Sequence, residues 1–268
     1  MTEHDTASAV LVDRRDHVVI ITINRPEARN AVNLAVTASI GEALDDADRD
    51  PAVRVAIITG AGDLSFCAGA DLKAIAAGER MFPEGREQWG FAGFVRHFTS
   101  TPIIAAVNGT ALGGGTELVL AADLAVAAEH ATFGLPEVKR GLIAGAGGAF
   151  RLAEQLPAKI ASEVLLTGDP IDAAAALRWG LVNQVVPKGT HLDAALQLAE
   201  RIAVNAPLSV AASKRLSRRV FGEDREPRGD ADAWAASAAE GRRVLASTDM
   251  REGVTAFAQK RPPAWTGT

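Results

Sequence analysis

Residues 103–127, IIAAVNGTALGGGTELVLAADLAVA, decide how the chain folds. The stretch opens with five apolar residues and no polar alternation, the pattern of a strand buried on both faces. It passes through a glycine-rich loop at 108–117 into an apolar helix at 118–122, and returns to a short strand at 124–127. Strand, helix and strand in that order imply a parallel crossover.

Working outward, residues 10–13 and 17–24 (HVVIITIN) read as two strands, with Arg14-Arg15-Asp16 as the turn of a hairpin. Asn33 is placed to cap a helix whose apolar face is Leu34, Val36, Ile40 and Leu44, ending in the acidic turn at Asp50. Residues 54–59 (RVAIIT) are another buried-type strand, so the first half implies an α/β fold with a largely parallel, helix-covered sheet. After Gly141 the pattern turns helical, at 150–155, 160–166, 173–179, 192–204, 208–220 and 231–246, with one strand at 182–186. Breaks fall at Pro157, Pro187 and Pro207, and residues 222–230 form the best linker candidate. There is no internal repeat.

At 268 residues the chain can bury a full core unaided. Apolar residues at 48% and charged residues at 23% fit an ordinary globular enzyme. The single cysteine, Cys67, allows no intrachain disulfide. No apolar run is long enough for a membrane span, and MTEHDTASAV lacks a signal pattern, so a cytoplasmic location is expected. A net charge of −5 argues against general nucleic-acid binding, while leaving room for a small anionic ligand held by local Lys and Arg.

Chemistry is expected where strands end in glycine-rich loops. One is SFCAGADLK, residues 65–73; the other is NGTALGGGTE, residues 108–117. Glycines at a helix N-terminus expose unpaired N–H groups at the positive end of the dipole. Two such loops can converge on one carbonyl oxygen. Neither GAGDLS (60–65) nor GAGGAF (145–150) completes G-x-G-x-x-G, which disfavours a nicotinamide enzyme. A phosphate loop, a G-x-S-x-G nucleophile elbow and zinc-type His/Cys spacing are all missing from the sequence.

The ordered motifs ITINRPEARNA (21–31), FCAGADLK (66–73), PIIAAVNGTALGGGTEL (102–118), FGLPEVKRGL (133–142), GAGGAFRL (145–152), LLTGDPIDAAAALRWGLVNQVV (165–186) and AFAQKRPP (256–263) resemble the enoyl-CoA hydratase, or crotonase, superfamily over nearly the whole chain. The resemblance implies a crotonase-like spiral of strand-strand-helix turns over residues 1–190. It implies a C-terminal helical region over 191–268 that packs trimers, commonly paired as hexamers. It also implies an oxyanion hole made by the N–H groups of Ala70 and Gly114 for a thioester carbonyl. The coenzyme A contacts it implies fall at Arg25, Ala28, Ala68, Asp71, Leu72 and Lys73, with Phe257 and Lys260 completing a neighbouring subunit's site. No metal or redox cofactor is called for, coenzyme A being part of the substrate.

Glu117 and Glu137 match the two carboxylates of the family's hydratase branch. Glu117 opens an otherwise apolar helix and Glu137 follows Leu135-Pro136 in an apolar loop, so both should be partly desolvated. Close carboxylates in such a place do not both ionise readily. The resemblance therefore implies reversible addition of water to a trans-2-enoyl-CoA, with Glu117 as base towards water and Glu137 as proton donor to Cα. ALRWGLVNQVV and AFAQKRPPAWTG resemble the carnitinyl-CoA dehydratase subgroup, which makes that dehydration the alternative. Glu27 and Arg29 depart from the Lys and Leu of many hydratases. A non-catalytic acyl-CoA-binding role ranks third.

Other residues take plainer readings. Asp71 is expected to hold its own loop by side-chain-to-backbone bonds, and Cys67 to be a small buried hydrophobe. His97 and His130 read as surface or capping residues, and Trp89, Phe91 and Phe94 divide evenly between acyl pocket and helix core.

Overall fold

The structure, a computed structural model, describes residues 8–218 and 230–266. The expected hairpin is β1 (Val10–Arg15) and β2 (Val18–Ile23), paired antiparallel, with its turn at Asp16 and His17. Asp16 takes a positive φ of 50°, which moves the turn two residues later than the charge pattern implied. Asn33 caps α1 (Leu34–Arg49), its side chain accepting from the Val36 N–H at 3.1 Å. Val36, Ile40 and Leu44 of α1 are buried at helical spacing, and Pro51 follows its end.

Three strand-strand turns then repeat. β3 (Val55–Gly60) leads to β4 (Ser65–Cys67) and α2 (Leu72–Ala76). β5 (Ile103–Val107) leads to β6 (Thr110–Leu112) and α3 (Gly114–Ala121). β7 (Leu124–Ala128) leads to β8 (Thr132–Gly134) and a 3-10 turn over Pro136–Arg140. The first strand of each turn joins one sheet and the second joins another. With β9 (Ile171–Asp172) and β10 (Gln184–Val186), the sheets run β1-β2-β3-β5-β7-β10 and β4-β6-β8-β9. Beyond the first hairpin the large sheet is parallel throughout. This is the mixed α/β, crotonase-like arrangement with a helical C-terminal region.

The inner strands β2, β3, β5 and β7 of the large sheet are covered on both faces, which is why they carry largely apolar runs, whereas the edge strand β1 is exposed beyond Val10. Ile21, Ile23, Ile58, Ala105 and Val107 face the main core with α1 and the small sheet. Ile20, Ile57, Ile104 and Val126 face Ala195 and Ala199, fully buried on α7 (His191–Ala203). The helices α4 (Gly148–Gln155), α5 (Ala158–Thr167) and α6 (Ala173–Arg178) precede α7, and α8 (Pro207–Ser217), α9 (Asp230–Leu245) and α10 (Thr248–Ala258) follow it. The small sheet was not legible as strands, since β4, β6 and β8 are three-residue segments in glycine-rich surroundings. α10 was likewise missed, and the linker expected over 222–230 lies outside the described residues except for Asp230, where α9 starts. No helix among the described residues is long and apolar enough to cross a membrane.

Candidate active site

Because β4 and β6 are parallel neighbours, the loops leaving their C-terminal ends lie side by side. A Cβ on Gly69 would sit 3.1 Å from the Leu112 carbonyl oxygen and 3.2 Å from the Gly114 nitrogen. The Ala70 and Gly114 N–H groups donate to no other protein group among the described residues, whereas the neighbouring Gly113 and Asp71 N–H groups donate to the Gly134 and Val32 carbonyls. Gly114 is the first residue of α3, where N–H groups have no partner inside the helix. The triple glycine has a separate reason at each position. Gly113 has φ +55° and faces Glu137, a Cβ on Gly114 would collide with the Phe91 ring, and one on Gly115 with the Cys67 carbonyl.

Side chains not singled out in the sequence hold these loops. Asn30, fully buried with a positive φ of 56°, donates to the Ala61 and Ser65 carbonyls at 3.0 and 2.7 Å. Asn108, also buried, donates to the same Ser65 carbonyl at 3.1 Å and to that of Gly62 at 2.9 Å. Ser65 Oγ bonds the Arg29 and Thr110 carbonyls. Three loops distant in sequence are thus fastened at Ser65, and polar Asn in an apolar core is the signal that could have found them.

Glu117 is 3% exposed on α3, among Leu118, Val119 and Leu120, which are buried with it. Its Oε1 accepts from the Gly148 N–H at 2.8 Å. Burial pushes its pKa up to about 8, reinforced by the charge of Glu137 and opposed by the Gly148 and Ala146 N–H groups and by Arg151. Burial also pushes Glu137 up to about 7, against its own backbone N–H and Arg140. Glu137 Oε2 is buried with no hydrogen-bond partner, and a Cβ on Gly113 would lie 3.2 Å from its Oε1. With both carboxyls raised towards neutral pH, the pair is only partly ionised there. Such a pair can accept a proton at one oxygen and supply one at another.

Across the β4 loop, Asp71 caps α2, accepting from the Lys73 and Ala74 N–H groups at 3.1 and 3.2 Å. The Arg25 guanidinium pairs with it at 2.9 Å and donates to the Ala31 carbonyl at 2.6 Å. The loop-holding reading of Asp71 is what the structure has. Ala68, exposed, donates its N–H to the Arg29 carbonyl, next to half-buried Ala28, and Leu72 and Lys73 are exposed at the start of α2. Arg25, Ala28, Ala68, Asp71, Leu72 and Lys73 therefore form one rim beside Ala70. Phe257, 53% exposed on α10, sits under the Arg140 guanidinium at 4.7 Å, so it belongs to the Glu137 side. Lys260 follows α10 with a φ of 52°, and neither residue has a described contact with the Arg25–Asp71 pair.

The three aromatics separate. Trp89 and Phe94 are core, Trp89 packed over Gly41 of α1, while the half-buried Phe91 ring lies against Gly114, whose N–H has no partner among the described residues. They sit in short 3-10 turns, not a helix. His97 is corrected: its side chain is 10% exposed, stacked on Trp89 at 5.1 Å and bonded to Asp45 at 2.8 Å. His130 is exposed and bonds the Asp63 carbonyl. Cys67 is fully buried, and burial pushes its thiol up to about 12, which leaves it an inert hydrophobe. No group of three or more metal-ligating side chains occurs among the described residues.

The enoyl-CoA hydratase/isomerase family profile matches residues 13–268. The chain is 43% identical over 265 residues to the carnitinyl-CoA dehydratase of Salmonella arizonae, covering 97% of this chain and 99% of that one. It is 44% identical over 257 residues to the carnitinyl-CoA dehydratase of Proteus mirabilis, covering 94% and 96%. Among solved structures, a carnitinyl-CoA hydratase from Mycobacterium avium superposes with a TM-score of 0.96 at 57% identity, covering 98% of this chain and all of that one. An enoyl-CoA hydratase from Mycobacterium tuberculosis gives 0.76 at 48%, with the same coverage. With buried Glu117 and half-buried Glu137 beside two unpaired N–H groups, and similarity along almost its full length, the chain belongs to the enoyl-CoA hydratase/isomerase family.

Proposed function

We propose that the chain is a hydro-lyase acting on CoA thioesters, interconverting a 3-hydroxyacyl-CoA and its trans-2-enoyl-CoA. The observation that carries this is the facing pair Glu117 and Glu137, both desolvated and both raised towards neutral pH. Hydration starts from the microstate with Glu117 ionised and Glu137 protonated, the less populated of the two singly protonated forms given the higher Glu117 value: water oxygen bonds Cβ while the Glu117 carboxylate takes a water proton and Glu137 gives its proton to Cα. The electron pair of the double bond passes through the thioester, whose oxygen carries negative charge until Cα is protonated. Ala70 and Gly114 N–H groups meet that charge, and losing one such donor costs about 3–4 kcal/mol at the transition state. A proton passing from Glu117 to Glu137 through water resets the pair.

The rim of Arg25, Ala28, Ala68, Leu72 and Lys73 is the proposed coenzyme A contact, with Asp71 acting through Arg25 and α2. Phe257 and Lys260 are proposed to serve a neighbouring subunit. Exposed Val204, Leu208 and Leu216 around α8 give the apolar surface a trimer would cover. A cytoplasmic location remains the expectation.

A narrower reading is dehydration of carnitinyl-CoA, favoured over an unsubstituted enoyl-CoA by the names of the relatives at 43–44% identity. The same carboxylates serve both. Turnover of a short trans-2-enoyl-CoA and of carnitinyl-CoA, followed by the conjugated-thioester absorbance, tests the reading in wild type, Glu117→Gln and Glu137→Gln. Activity in wild type and its loss in both variants supports it. Coenzyme A binding with no turnover of either substrate points to the non-catalytic role.

A further inference from the structure

The Ala70 and Gly114 N–H groups fix where the thioester oxygen goes, and the two glutamates fix the reacting carbons. The wall beyond Glu117 is the loop that carries its hydrogen-bond donor, Gly148. The adjacent Gly147 faces Trp234 of α9: a Cβ there would be 3.1 Å from indole Cη2 and 3.2 Å from Arg151 Nη1. Phe150 meets the Trp234 ring edge-on at 5.1 Å and 82°. Two guanidiniums also lie over the indole, Arg96 at 4.9 Å and Arg151 at 5.4 Å. Arg96 comes from the opposite wall, five residues after the Phe91 that packs on Gly114. Trp234 therefore links the two walls of the site.

An aromatic face is what recognises a quaternary ammonium, through the negative face of its ring. Here that surface is already matched to guanidiniums. Arg96 is exposed and pairs with no carboxylate among the described residues, so its charge stays directed at the space around the indole.

We propose that Trp234 and Arg96 form part of the distal acyl subsite and that Arg96 sets its charge preference, taking acyl groups that end neutral or in a carboxylate ahead of those that end in trimethylammonium. This rests on the hydro-lyase reading for its substrate class. It opposes the narrower carnitinyl-CoA reading, and if it holds this chain differs in substrate from the carnitinyl-CoA-named proteins it resembles.

The test compares three enoyl thioesters of similar length: crotonyl-CoA, glutaconyl-CoA with a terminal carboxylate, and the trimethylammonium compound formed by dehydrating carnitinyl-CoA. In wild type, kcat/KM for the ammonium substrate should fall about tenfold or more below crotonyl-CoA, as expected of like charges a few ångströms apart in a partly desolvated site. Arg96→Glu should raise the ammonium-to-crotonyl ratio by about tenfold and lower the glutaconyl-to-crotonyl ratio, with Arg96→Gln between. An ammonium substrate that wild type prefers, or ratios unmoved by Arg96→Glu, overturns the proposal. Calorimetric Kd values for the corresponding saturated acyl-CoAs read the same preference without turnover. Absent turnover with the expected affinity order sinks the hydro-lyase reading and keeps the subsite; normal turnover with the reverse order does the opposite.

Discussion

Two carboxylates near the Ala70 N–H, half-buried Asp71 at the start of α2 and buried Glu117 on α3, have opposite character. Asp71 has its side chain 14% exposed, and Glu117 is 3% exposed. Burial raises both. At Asp71 the Arg25 guanidinium and the Ala74 and Lys73 N–H groups override that and hold the carboxyl below the usual carboxylate range. At Glu117 two N–H groups and Arg151 do not offset burial and the facing Glu137. The lesson is that the supply of partners, together with depth, decides whether a desolvated carboxyl is a fixed strut or a proton carrier.

The largest expected effect breaks or keeps that contrast directly. Glu117→Gln and Glu137→Gln should each lower kcat by about 10²–10⁴, the range for a lost general acid or base. Asp71→Asn should act mainly on KM, within about tenfold, because it loosens the Arg25 rim without touching the reacting carbons. Steady-state kinetics on the three variants decides; an Asp71→Asn loss in kcat equal to that of Glu117→Gln ends the distinction.

Gly114→Ala comes next, since its Cβ collides with the Phe91 ring beside the N–H it must leave in place. A loss of about 10–100-fold in kcat is expected from a misplaced oxyanion donor. The double variant with Phe91→Leu should recover part of it, whereas no recovery would mean the glycine acts through its backbone alone.

The pH dependence sharpens the comparison further. With burial holding Glu117 near about 8 and Glu137 near about 7, kcat/KM should form a bell whose maximum falls where the pair keeps one proton. A profile that only rises from pH 5 to pH 9 would remove the protonated partner from the mechanism.

Stability effects are smallest and differ in sign. The folded state binds more protons at Glu117 than the unfolded chain between the ordinary glutamate range and about pH 8, so stability falls as pH rises through that window. Glu117→Gln, still able to accept from Gly148, should therefore stabilise by about 1–3 kcal/mol, increasingly towards pH 8. Asp71 is depressed, so its contribution is present above the ordinary aspartate range and lost as pH falls through its folded value. Asp71→Asn should cost about 1 kcal/mol at pH 7 and nothing in strong acid. Denaturant midpoints for both variants at pH 5 and pH 8 read the two signs.

The sequence by itself determined the inner strands of the large sheet, because strands buried on both faces must be apolar at nearly every position, as in VVIITI, VAIITG and IIAAV. It determined α1 through Asn33 and a helical apolar spacing, and it marked Glu117 and Glu137 because a glutamate in apolar surroundings within a recognisable order of motifs is conspicuous. Only the tertiary structure decided what depends on partners far along the chain. SFC, TAL and TFG become strands by pairing with one another, across 22 to 45 residues, and nothing local in them says so. Phe91 lies at the site and Trp89 in the core although only Gly90 separates them, since Gly114 receives one ring and Gly41 the other. Asn30 and Asn108 meet at one Ser65 carbonyl, and Trp234 reaches across to Arg96 from 138 residues away. Local sequence sets what a segment can be, while contacts closed over such distances set which groups it faces, and the chemistry of this site lies in the facing groups.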